Sequence, residues 1–70
     1  MYIILDIEGH EVLNSFTAKA AQTEHQAWLA YARYLLTTDP SLREDYPTPE
    51  ALAKEAKTWE SLELRYSTEI

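Results

Sequence analysis

Apolar and polar positions along this chain follow two periods, and the change between them divides it into elements. In YIILDI, residues 2–7, β-branched and aromatic side chains fill positions of both parities. Tyr2 and Ile4 point one way, and Ile3, Leu5 and Ile7 the other, which suits a central strand. Glu8-Gly9 supplies a turn, and Gly9 is the chain's only glycine, free to adopt positive φ. In EVLNSFTAK, residues 11–19, Val12, Asn14, Phe16 and Ala18 alternate with Leu13, Ser15, Thr17 and Lys19. One set is mostly apolar and the other mostly polar, as in a strand covered on one side. Two registers are open: a two-residue loop pairing Leu5 with Val12, or a bulged turn pairing Ile4 with Val12.

From Thr23 the period lengthens. Thr23-Glu24-His25-Gln26 fits a capping box, with Thr23 accepting from the Gln26 amide and Gln26 reaching back to the Thr23 amide. The spacing predicts a first helix over residues 24–38, ended by Asp39-Pro40, because a residue before proline avoids helical angles. Residues 40–47, PSLREDYP, read as a loop. Thr48-Pro49-Glu50 opens a second helix with Thr as N-cap, Pro in the first helical position and an acid in the first turn. Leu52, Ala56 and Trp59 share one of its faces. In the last stretch Leu62, Leu64 and Tyr66 alternate with Glu63, Arg65 and Ser67, which predicts a strand. A helical continuation is the alternative, although Leu62 and Leu64 would then point ~160° apart. The fold class is α+β: a β-hairpin, two helices on one sheet face and a short C-terminal strand beside Tyr2–Ile7. The order is ββααβ, with ββαα the alternative. The predicted core joins Phe16, Trp28, Leu35 and Trp59.

The first helix carries more apolar surface than one face requires. On a wheel of ~100° per residue, Trp28, Leu29, Ala32, Leu35 and Leu36 form a broad face for the sheet, with Tyr31 on its edge. Ala27, Ala30 and Tyr34 fall on the other side, around Gln26, Arg33 and Thr37. That outer strip either receives the second helix or stays open to a partner. In the second case its small residues allow close approach, and Tyr34 offers a stiff aromatic contact.

Composition narrows the functional classes. Seventy residues without cysteine make one domain, 1–70, that lacks disulfides and thiolate metal sites. The N-terminus has no basic start and its apolar run ends at Asp6, so neither a signal peptide nor a membrane span is expected, and a cytoplasmic location is. Twelve acids against six bases give a formal charge of −6, the wrong sign for direct binding to nucleic acid or an anionic membrane. That charge serves solubility, or an acidic face meeting a basic partner. Glu44, Asp45 and Glu50 gather around the start of the second helix, with Tyr46 among them. The helix dipole accounts for acids there, and a phosphate-like array facing a basic groove is the sharper reading.

Catalytic chemistry has little support. Glu8, His10 and Glu11 cluster at the hairpin tip, where a metal or an acid–base pair could be held. An exposed tip lacks the enclosure catalysis needs, so they read as solvated turn residues. His25 reads as a neighbour of the helix cap. No catalytic, cofactor or metal-ligand motif is present. In size, acidity and lack of motifs the chain resembles in type the small inhibitor and accessory proteins of phages and mobile elements, including anti-CRISPR proteins. This is a likeness of type that carries over no residue. It identifies no target. The reading is a non-enzymatic inhibitor or modulator that binds a larger protein, for which the acidity makes a basic nucleic-acid-binding surface one candidate target. Ala27, Ala30, Tyr34, Glu44, Asp45, Tyr46 and Glu50 are the candidate contacts. The alternative is a small structural or regulatory subunit that self-associates as a homodimer.

Overall fold

A computed structural model describes residues 1–68. The elements are β1 (Tyr2–Glu8), β2 (Glu11–Ala18), α1 (Glu24–Thr38), a 3₁₀ turn (Pro40–Glu44), α2 (Pro49–Ala56) and β3 (Leu62–Tyr66). This is the ββααβ arrangement of the α+β reading, and the last segment is a strand, not a continuation of α2. The sheet is antiparallel in the order β2-β1-β3. The strand that is apolar at both parities therefore lies in the centre. Past the two ends of the β1–β3 ladder, the Ile7 amide donates to the Ser61 carbonyl at 2.7 Å and the Ser67 amide to the Met1 carbonyl at 2.8 Å.

The hairpin adopts neither predicted register. Gly9, at φ 63°, and His10 form a two-residue turn, so Glu8 faces Glu11 and Ile7 faces Val12. The ladder then slips by one residue, and from Asp6 opposite Asn14 it continues through Ile4 opposite Phe16 to Tyr2 opposite Ala18. Leu13 is the extra residue of this β-bulge. A bulge inverts the parity of the residues beyond it, so Val12 shares a face with Ile7, whereas Asn14, Phe16 and Ala18 share one with Ile4. The predicted grouping of Val12 with Asn14 and Phe16 is corrected on this account.

Both helices begin where their caps predict. Thr23 Oγ1 accepts from the Gln26 amide at 3.1 Å. Gln26 Oε1 accepts from the Gln22 amide at 2.8 Å, one residue further back than the Thr23 amide expected. Thr48 Oγ1 accepts from the Ala51 amide at 3.2 Å. At the C-terminus of α1 the Asp39 amide donates to the Leu35 carbonyl at 2.8 Å. Pro40, with no N–H, cannot extend the ladder, and the 3₁₀ turn takes over.

The core is Ile4 of the sheet, Trp28, Ala32 and Leu36 of α1, and Leu52, Ala53 and Ala56 of α2. Alanines at 32, 53 and 56 are all fully or almost fully buried, and their small size lets the helices approach closely. Lys57 Nζ lies 3.2 Å from His25 Nδ1, with the ammonium as donor. This contact brings the end of α2 beside the start of α1, so the two helices run antiparallel. Of the predicted core, Trp28 is buried, whereas Leu35 and Trp59 are only half-buried at the edge of the cluster. Phe16 is not in that cluster; its ring packs on Tyr31 and Tyr34 instead.

The wheel also needs correction. Ala27 is 0% exposed, although the predicted outer strip included it. The Trp28–Ala32–Leu36 row joins α2, while Tyr31 and Tyr34 turn toward Phe16 on β2. A helix wedged between a sheet and a second helix buries two adjacent stripes, so its covered arc is wider than one face suggests.

Candidate functional site

The strand and helix periods meet at the open side of α1. Residues two apart on a strand share a face, and so do residues three, four and seven apart on a helix. Ile4 and Asp6 of β1 and Asn14 and Phe16 of β2 face Tyr31, Tyr34, Leu35 and Thr38 of α1 across a pocket of about 250 Å³, with Ser15 at the rim. Three aromatic rings line it. The Phe16 ring centroid is 5.4 Å from that of Tyr31 and 5.2 Å from that of Tyr34, and the two tyrosines stack at 6.4 Å with an interplanar angle of 27°. Tyr34 is 49% exposed, so its ring forms an open wall. The volume falls just below the ~300–1,000 Å³ typical of small-molecule sites, and suits the end of one long side chain.

The electrostatics are one-sided. Asp6 is the only charged residue among those lining the pocket. The Asp6 carboxylate has no hydrogen-bond or ion-pair partner among the described residues. Its neighbour across the ladder is Asn14, which carries no charge. Partial burial pushes the Tyr31 phenol above the ordinary tyrosine value, with the negative charge of Asp6 and the neighbouring Tyr34 adding to the effect. The last turn of α1 reaches the pocket through Leu35 and Thr38, and holds no basic residue. Its carbonyl end contributes a partial negative charge. The Thr38 hydroxyl is turned back to donate to the carbonyls of Tyr34 at 3.1 Å and Leu35 at 3.2 Å.

Of the seven residues singled out from sequence, only Tyr34 lines this pocket. Ala27 is buried and has no surface to offer. Ala30 is half-buried in a separate shallow depression with Ala20, Ala21, Gln26, Leu29 and Arg33. Glu44 and Asp45 are exposed at the end of the 3₁₀ turn, and Glu50 is exposed in the first turn of α2. Tyr46 is half-buried against the core. Sequence reasoning passed over Asp6, Asn14, Phe16 and Tyr31. The available signal was polar residues at two in-phase strand positions, Asp6 and Asn14, whose neighbours Ile4 and Phe16 on the same face are apolar. Glu8, His10 and Glu11 are exposed at the hairpin tip. Among the described residues no group of three acids or histidines is placed to hold a metal ion.

No described helix packs on the opposite sheet face. Ile3, Leu5 and Ile7 lie there half-buried, with Val12 51% exposed and Leu13 at the bulge 49% exposed. Glu63, the one acid among the described strand residues on that face, pairs with Arg65 at 2.9 Å. No described helix is long and apolar enough to cross a membrane. Neither a protein-family model, nor a curated protein, nor a solved structure matches this chain.

Proposed function

We propose that the protein is a non-enzymatic interaction protein, an inhibitor or modulator that binds a larger protein at a basic surface of the kind that holds nucleic acid. One observation carries this reading. Of the acids at described positions, all but Asp6 are exposed, and Glu63 alone is ion-paired. The acids outnumber the bases two to one, so the described surface carries a net negative charge, and such a field steers association with a basic partner. Nucleic acid itself and anionic membranes carry the same sign and are repelled. The cysteine-free composition accords with a reducing, cytoplasmic setting.

The test is capture from native cell extract by the wild-type chain and by the variant Glu44→Lys, Asp45→Lys, Glu50→Lys, with mass spectrometry and on-rates for the captured protein. Raising salt from ~10 mM to ~150 mM shortens the Debye length from ~30 Å to ~8 Å, so the on-rate should fall steeply. The variant should associate more slowly at low salt. An on-rate indifferent to both changes refutes the acidic reading and leaves the charge as a solubility feature.

Self-association is the second reading, and the helix-free sheet face favours it. Two copies stacked on Ile3, Leu5, Ile7 and Val12 would cover apolar surface, and the Glu63–Arg65 pair would keep unpaired acids out of the contact. Sedimentation mass across a range of concentrations decides between a monomer and a dimer.

A further inference from the structure

We propose that the pocket between α1 and the β1–β2 hairpin is a receptor for one arginine side chain of a protein partner. The proposal rests on the interaction-protein reading above and identifies the chemistry the site takes. Three features converge on a cation. The ring centroids of Phe16, Tyr31 and Tyr34 lie 5.2–6.4 Å from one another along the pocket lining, and an aromatic face attracts a cation placed over it. Asp6 supplies a carboxylate with no partner among the described residues, next to the amide of Asn14. No base competes for it, since the lining residues and the last turn of α1 are free of lysine and arginine.

Arginine fits better than lysine. Its planar guanidinium stacks on a ring and forks onto a carboxylate at once, and it sheds water more readily than an ammonium. Tyr34 supplies an exposed wall for stacking, and Asp6 supplies the acceptor. The raised phenol of Tyr31 keeps that group protonated, so it presents a neutral hydroxyl and adds no second charge.

The probe is the blocked tripeptide Gly-Arg-Gly, titrated into the full chain while the ring resonances of Phe16, Tyr31 and Tyr34 are followed by NMR. Saturable shifts at those rings are expected, with a dissociation constant on the order of millimolar. The neutral isostere Gly-citrulline-Gly should leave the rings unshifted, and Gly-Lys-Gly should bind about threefold or more weakly. Asp6→Asn and Tyr34→Ala, both at positions in contact with solvent, should each weaken the arginine peptide about threefold or more while the amide spectrum stays native. Citrulline and arginine giving equal shifts would overturn the cation site, and lysine binding as tightly as arginine would overturn the guanidinium assignment. The two levels separate cleanly. A captured partner whose affinity survives Asp6→Asn and Tyr34→Ala removes the pocket but keeps the interaction reading. Saturable arginine binding with no partner captured does the reverse.

Discussion

Ala27 and Ala30 lie three residues apart on the same helix, and the structure assigns them opposite responses to the same substitution. Ala27 is 0% exposed, so Ala27→Glu drives extra bulk and a carboxylate into filled space. Overpacking costs ~1–3 kcal/mol, and a buried unpaired acid costs several more even after it takes up a proton. The sum is ~4 kcal/mol or above, against a total stability of about 4–10 kcal/mol for a chain of this length. At ~4–8 °C per kcal/mol for a domain of this size, the midpoint falls by more than ~15 °C, or the chain fails to fold. Ala30 is half-buried beside Gln26 and Arg33 in a shallow depression. A glutamate there can turn outward and meet Arg33 at i+3, a pair worth ~0.2–0.5 kcal/mol. Its net cost stays within ~1 kcal/mol, or at most ~8 °C. Thermal melting followed by circular dichroism reads both variants. Should Ala27→Glu melt with the wild type while Ala30→Glu unfolds, the orientation of α1 is wrong.

The packing and the pocket give three further outcomes. Leu52 is 0% exposed between the helices, so Leu52→Ala should lower urea-measured stability by ~2–5 kcal/mol with little change in denaturant slope. Thr48→Ala removes the acceptor for the Ala51 amide and should cost ~0.5–2 kcal/mol, again by urea titration; an unchanged midpoint would show that the cap contributes nothing to α2. Because the folded state raises the Tyr31 phenol, stability is fully present below the ordinary tyrosine value of about 10 and declines as pH rises through the higher folded value. Tyr31→Phe should flatten that alkaline decline relative to wild type, and parallel pH profiles would show that Tyr31 is not the group responsible.

The sequence alone determined the features that depend on neighbours along the chain. Thr23 and Thr48 mark both helix starts because a side-chain oxygen two or three residues before an orphan amide satisfies it locally. Pro40 ends α1 for an equally local reason. β1 could be placed in the centre because it is apolar at both parities, and β3 because Leu62 and Leu64 cannot share a helical stripe. Only the tertiary structure decided the hairpin register, since the bulge at Leu13 depends on which pairs the whole ladder can form after the Gly9-His10 turn. It also decided which apolar residues of α1 are covered. A wheel orders Ala27, Trp28 and Tyr34 around an axis but cannot show that the sheet and α2 press on adjacent stripes. The pocket is the furthest from local determination. Asp6, Phe16, Tyr31 and Tyr34 come together only when a strand repeat of two residues is laid across a helix repeat of 3.6, and the angle and phase of that crossing are set by the Ile4, Ala32, Leu52 and Ala56 core.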